Sequence, residues 1–258
     1  MIKKFREGQP RRGIYLLPNL FTTAALFTGF YAIVAAMDNR FEQAAIAIFI
    51  AMLLDGIDGR VARMTNTQSD FGAEYDSLAD MISFGIGPAL IVYEWTLSSM
   101  GKLGWLAAFI YTAGAALRLA RFNTQVGTAD KRYFQGLPSP SAAAIIAGMV
   151  WVGETYLPAG RDIGMVAMAL TIWAGVLMVS NIRYYSFKGI NWKGKVPFVG
   201  LLLFVLIIVL VSSSPPLMLF VGFLIYSLSG IVYTLFELRK RRLERRAQRV
   251  ATKDQGEP

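Results

Sequence analysis

Four aspartates stand in two pairs, Asp55/Asp58 and Asp76/Asp80, within stretches that are otherwise almost wholly apolar. An ionised carboxylate in or near hydrocarbon is costly and calls for a compensating charge, for which a metal ion is the first candidate. Residues three or four apart on a helix share a face, so each pair projects its two carboxylates together. Antiparallel neighbouring helices joined by the short loop 64–71 bring all four carboxylates to one point. The cage offers oxygen ligands alone, which suits Mg2+ or Mn2+. A single divalent ion leaves about two negative charges uncompensated, so the pattern admits two ions. Two ions about 4 Å apart clamp both sides of a displacement at phosphorus. The chemistry implied is phosphoryl-type transfer on a diphosphate.

The residues between the pairs add detail. Gly56 and Gly59 lie in the same helical segment, where glycine costs about 1 kcal/mol against alanine. Close packing on a neighbouring helix is one explanation, common in membranes. Beside carboxylates, a missing side chain also lets a bulky ligand lie against the backbone. Arg63 follows Asp55 by eight residues, about 12 Å along a helix axis. A guanidinium there can take a phosphate with two parallel bonds. Arg60 reads as a charge anchor at the membrane edge.

The elements that must carry these groups are membrane helices. Of 258 residues, 55% are hydrophobic and 17% charged. Charge-free stretches cover 16–37, 133–153, 163–182 and 196–236; the first three each match the length of a bilayer-crossing helix, and the last holds two, broken at 212–216. Weaker spans at 41–63, 72–96 and 103–120 bring the expected count to eight, and the aspartates lie near one end of the second and third. With both termini on the cytoplasmic side, every Lys and Arg falls on that side except Arg40, Lys102 and Arg161, as the positive-inside rule demands. The basic N-terminus followed by an apolar run also resembles a cleaved signal, but the run is long for one and lacks a small-residue cleavage site, so a retained first span is expected.

Cysteine and histidine are absent. Disulfides, thiolate ligands and the commonest general base are thereby excluded, leaving carboxylates, hydroxyls, Lys/Arg and a hard cation. The basic stretch 239–249 reads as a topology anchor touching anionic membrane lipids. Nucleic-acid binding is disfavoured, because positive charge is spread over every loop on that side while the aromatics sit in the spans.

At this point the residues match a family. The string Asp55-x2-Asp58-Gly59-x2-Ala62-Arg63-x8-Gly72-x3-Asp76-x3-Asp80 resembles, without departure, the signature of the CDP-alcohol phosphatidyltransferases. The resemblance implies an all-α polytopic membrane protein with a six-helix core at 1–183, extended here by two helices at 184–238 and a basic tail at 239–258. It implies displacement of CMP from a CDP-linked lipid by an alcohol. Asp55, Asp58, Asp76 and Asp80 would ligate two Mg2+ or Mn2+ ions on the diphosphate, with Asp80 also accepting the proton of the attacking alcohol. Gly59, Ala62, Arg63, Ser69 and Gly72 would lie along the nucleotide and diphosphate. Asn19 and Thr22, in Pro18-Asn19-x2-Thr22, resemble the family's N-terminal element near the nucleotide. A homodimer in the cell (inner) membrane, with its active site on the cytoplasmic side, is also implied.

The signature does not name the alcohol. Residues 71–88, together with 118–123 and 134–140, resemble the serine-accepting members, which would make phosphatidylserine from CDP-diacylglycerol and L-serine. Serine is a zwitterion and needs a cation for its carboxylate and an acceptor for its ammonium. Arg118 and Arg121, three apart at the end of span four, could supply the first; Glu74 or the aspartates could supply the second. Glycerol 3-phosphate would also use arginines, so a phosphatidylglycerophosphate synthase remains an alternative. A cation-coupled transporter also places carboxylates in membrane helices, but its broken helices recur in two halves of the chain. Here the acidic block has no later counterpart.

Overall fold

The computed structural model describes residues 16–65, 69–124, 133–157, 163–185 and 198–254. The basic N-terminal residues, the lysines and arginines at 131–132 and 188–195, and Arg161 lie outside these. The chain is an integral membrane protein built of helices. Pro18–Met37, Lys102–Thr124 and Pro215–Lys240 are each long and apolar enough to cross a bilayer, and Gly164–Val179 and Gly200–Ser213 are shorter apolar helices.

Helix α1 (Leu16–Met37) and α2 (Phe41–Thr65) form an antiparallel pair. Their seam is alanine: Ala32, Ala35, Ala36, Ala44, Ala45, Ala47 and Ala51 are all buried. With lipid as apolar as the side chains, close backbone approach and dispersion hold such helices together. Next comes α3 (Asp70–Asp80), which passes directly into a π-helical segment, Met81–Ile86, and then α4 (Gly87–Trp95). The expected third span is therefore one rod in three segments, α, π and α again.

Pro88 is part of the reason. It has no N–H to give the carbonyl of Phe84 four residues earlier, and the Tyr111 hydroxyl donates to that carbonyl instead, at 2.9 Å. The Gly87 N–H reaches back five residues to Ile82 O. Tyr111 belongs to α5 (Lys102–Thr124), so the π segment is fastened from a neighbouring helix. On its other side, Ser83 donates to Ala25 O at 3.2 Å. A Cβ on Gly29 would lie 2.7 Å from Ser83 Cα, so only glycine allows α1 to approach this closely.

Helix α6 (Ser139–Tyr156) is central, buried from Ala142 through Val150. Helix α7 (Gly164–Val179) crosses α5 glycine to glycine, since a Cβ on Gly114 would meet Gly175 O at 2.5 Å. Two three-residue strands accompany the helices of this all-α architecture. β1 (Tyr133–Gln135) pairs antiparallel with β2 (Arg183–Tyr185), in the register Phe134 to Tyr184. Strands this short carry no readable alternation in sequence. Beyond them, α8 (Phe198–Ser213) is apolar on every side, and α9 (Pro215–Asp254) runs unbroken for 40 residues. That is about 60 Å of helix, twice the hydrocarbon thickness of about 30 Å, so the basic stretch continues the last apolar helix outward.

Candidate active site

The C-terminal half of α2 and the length of α3 position the acidic residues. Carboxylate oxygens of Asp55, Asp76 and Asp80 lie within 4.8 Å of one another. Three converging hard-oxygen donors of like charge suit a divalent cation. Asp58 takes a different position from the single meeting point expected. It is buried at 5% exposure and accepts a 2.8 Å hydrogen bond from the Thr22 hydroxyl of α1. A carboxylate buried beside its neighbours thus has its orientation fixed by a second helix.

Helix α3 is held from three directions. Ser69 caps its N-terminus, accepting from the Gly72 N–H at 3.1 Å, the usual way to satisfy an orphan donor of the first turn. Tyr75 meets Thr23 of α1 at 2.9 Å. Ser77, between Asp76 and Asp80 in sequence, receives the Asn123 amide of α5 at 3.0 Å. A Cβ on Gly72 would lie 3.2 Å from Ser69 Oγ and 3.5 Å from Asn19 Oδ1. Asn19, Ser69 and Gly72 therefore form one cluster at the start of α3.

On α2, Arg63 folds back along its own helix, its Nη1 3.6 Å from where a Gly59 Cβ would be. Ala62 is partly buried beside it. A Cβ on Gly56 would meet nothing within 4 Å, so among the described residues helix packing does not account for that glycine. The two arginines of α5 part company. Arg118 donates from Nη1 to Ser139 at 2.7 Å, its Nε is buried without a hydrogen-bond partner, and it lies within electrostatic reach of Asp80. Arg121 instead donates to Val179 O at 3.1 Å and Asn181 Oδ1 at 3.2 Å, closing the end of α7. Glu74 is exposed on α3.

Sequence reasoning missed the supports: the π segment directly after Asp80, Tyr111 and Ser83 that brace it, and the Ser77–Asn123 tie. Pro88 was the one local signal, since its missing N–H forces an irregularity somewhere upstream. The Thr22 contact makes a testable statement. Thr22→Val keeps the shape but strips Asp58 of its hydrogen bond, and loss of a supporting partner typically weakens metal binding about 10–100-fold. Titration of the purified variant with Mn2+ should show a rise in dissociation constant within that range; unchanged affinity would mean that Asp58 takes no part in holding a cation.

Comparison with known proteins agrees with this geometry. Residues 15–180 match the family model described as CDP-alcohol phosphatidyltransferase, an interval spanning α1 to α7 and every residue of the acidic cluster. A CDP-diacylglycerol–serine O-phosphatidyltransferase of Helicobacter pylori is 39% identical over 231 residues, covering 90% of this chain and 96% of that protein. Proteins with the same name from Methanocaldococcus jannaschii and Bacillus subtilis are 35% and 33% identical, each over 67% of this chain, covering 75% and 91% of their own lengths. The signature aspartates, the helices that make them converge and matches of this extent together show that the chain belongs to the CDP-alcohol phosphatidyltransferase family.

Proposed function

We propose that the protein transfers the phosphatidyl group of CDP-diacylglycerol to the hydroxyl of L-serine, yielding phosphatidylserine and CMP. The observation that carries this reading is the convergence of Asp55, Asp76 and Asp80 within reach of a buried arginine, Arg118, that has an uncommitted Nε. The names of the relatives at 33–39% identity support serine as the alcohol.

Asp55, Asp58, Asp76 and Asp80 would hold two Mg2+ or Mn2+ ions. Bound there, the ions supply positive charge to the diphosphate and to CMP as it leaves. Asn19, Thr22, Gly59, Ala62, Arg63, Ser69 and Gly72 line the donor side, where the open face at Gly56 leaves room beside the backbone. Arg118 orients the acceptor through its carboxylate. Arg121 is occupied at the end of α7 and acts, on this reading, by fixing α5; Glu74 remains available to an ammonium group.

The serine oxygen attacks the phosphatidyl phosphorus, the bond from that phosphorus to the CMP oxygen breaks, and the hydroxyl proton passes to Asp80. Direct attack is favoured because neither Cys nor His is present to form a covalent intermediate. Eight spans support the arrangement: a core at 1–183, an extension at 184–238 and a tail at 239–258. The site and both termini face the cytoplasm in the inner membrane, and the protein works as a homodimer.

The test is to supply the purified protein with CDP-diacylglycerol, Mn2+ or Mg2+ and a panel of alcohols, following CMP release and the lipid product. Serine-dependent release of CMP with formation of phosphatidylserine is expected. Release with glycerol 3-phosphate and none with serine would overturn the choice of acceptor.

A further inference from the structure

A serine at the start of a helix ordinarily caps it, its hydroxyl accepting from a backbone N–H of the first turn. At the start of α6 Pro138 holds the capping position, and the hydroxyl of Ser139, the next residue, turns to another helix. Ser139 is fully buried, and its Oγ accepts from Nη1 of Arg118 at 2.7 Å. The loop that delivers it is fastened to the end of α7 by Gly136 N to Ile182 O at 2.9 Å and Leu137 N to Leu177 O at 3.0 Å. Gly136 has a φ of 76°, and a Cβ there would strike Met178 O, so the approach admits glycine alone. Arg121 holds the same end of α7 from α5, through Val179 O. A buried hydroxyl is thereby set firmly against one arginine.

Two hydrogen-bonded ties place that arginine alongside the acidic cluster. The Tyr111 hydroxyl of α5 donates to Phe84 O of the π segment at 2.9 Å, and nearer the end of α5 the Asn123 amide donates to Ser77 of α3 at 3.0 Å. Asp80 lies between Ser77 and Phe84 on one rod, and Arg118 lies between Tyr111 and Asn123 on the other. Arg118 follows Tyr111 by seven residues and so shares the face that Tyr111 turns to that rod, about 10 Å further along the axis. Its Nε is buried without a hydrogen-bond partner, and a buried unsatisfied donor calls for an explanation. Arginine takes a carboxylate through two parallel N–H bonds. Ordering so long a side chain costs rotamer freedom, and the bond to Ser139 has already selected one orientation before any ligand arrives. Preorganisation of this kind strengthens binding by lowering that cost.

Resting on the reading of the site as a serine-accepting transferase with Arg118 at the acceptor's carboxylate, we propose that Ser139 is a positioning residue. It holds Nη1 of Arg118 so that Nε is left for the acceptor, and it thereby sets the preference for an alcohol that carries a carboxylate. Ser139 acts through Arg118 and takes no part in the bond exchange. The pinned loop before α6 then serves the site as well as the fold, because it decides where that hydroxyl stands.

The test compares serine with serinol, which keeps the hydroxyl and the amine but lacks the carboxylate, measured as a competitor of serine-dependent CMP release. In Ser139→Ala the KM for serine should rise about tenfold, as for the loss of one hydrogen bond to a charged group. The inhibition constant of serinol and the KM for CDP-diacylglycerol should stay within about twofold. Ser139→Cys fills the same space with a weak acceptor and should shift serine in the same direction without leaving a void. Merely structural damage would weaken serine and serinol alike. Thr171→Val is the control: Thr171 is as fully buried, but its hydroxyl donates to Ala167 O within α7, and its loss should leave the KM for serine within about twofold. No serine-dependent CMP release by the wild type would overturn the functional reading and this inference with it. Serine-dependent release with an unaltered KM for serine in both Ser139 variants, an equal weakening of serinol in them, or an equal rise in Thr171→Val overturns this inference alone.

Discussion

Asp80→Asn is expected to lower the rate of CMP release by at least about 10³-fold at saturating CDP-diacylglycerol and serine. Asparagine matches aspartate in size and keeps one oxygen ligand, but it cannot take a proton from the acceptor. General-base catalysis is worth about 10²–10⁴-fold, and about 10³ corresponds to roughly 4 kcal/mol of transition-state stabilisation. Asp80 occupies the last position of α3, where the backbone turns into the π segment Met81–Ile86. Such segments are rare and are frequent at functional sites. The π segment that follows it is braced on both sides, through Tyr111 to Phe84 O and Ser83 to Ala25 O. The proposed role as base separates from the proposed role as ligand by titration with metal. If Asp80 only held a cation, raising Mn2+ well above the dissociation constant would restore the rate of Asp80→Asn. A proton acceptor cannot be replaced in that way, so a rate that stays low at saturating Mn2+, with CDP-lipid binding retained, is the expected result. Full recovery would assign the base elsewhere.

Much of this site was legible before any fold was known, for physical reasons particular to membranes. A carboxylate in an apolar run is expensive, so its presence carries information that the same residue on a soluble surface would not. The spans at 41–63 and 103–120 correspond to α2 (Phe41–Thr65) and α5 (Lys102–Thr124). The 72–96 span was recognisable as one helix, but its change of winding was not. Met81–Ile86 is equally apolar whether wound as α or π, and what selects π is the absent N–H of Pro88 together with a donor on a helix 23 residues further on, from Pro88 to Tyr111. Helical spacing also spoke too simply about pairs. Asp55 and Asp58 share a face in projection, yet Thr22 draws Asp58 toward α1. Arg118 and Arg121 share a face too, yet the carbonyl of Val179 claims the second. Spacing states which residues face alike along one helix; which partner captures each is decided by neighbours distant in sequence.

The glycines show the same division. Either close packing or room for a ligand explains a glycine beside aspartates, and sequence cannot separate them. Where Gly29 and Gly114 are glycine because a helix crosses within 2.7 Å of a would-be Cβ, Gly56 meets nothing. The first kind serves the fold and the second leaves open space beside the aspartates, and only the crossing helices distinguish them.

Removing divalent metal with a chelator is expected to abolish CMP release completely, with recovery on adding Mn2+ or Mg2+. Neutralising one ligand should then move stability and activity in opposite senses. Three carboxylates within 4.8 Å of one another repel by at least about 3.5 kcal/mol per ionised pair at an effective dielectric constant of about 20. That repulsion is relieved by a cation or a shared proton, and folding alone cannot remove it. In chelator, Asp76→Asn should therefore unfold at a higher temperature than the wild type, because one member of the repelling group has lost its charge. In saturating Mn2+ the order should invert. A ligand present at 100 times its dissociation constant stabilises the folded state by about 2.7 kcal/mol, and the variant, with a poorer site, forgoes most of that. Thermal unfolding in chelator and in Mn2+ gives both comparisons in one experiment. A wild type that keeps its activity in chelator, or whose unfolding temperature ignores Mn2+, would remove the metal from the site and leave the acidic cluster unexplained. Inversion of the order would identify the cluster as a site whose charge is tolerated in the membrane because a cation is meant to occupy it.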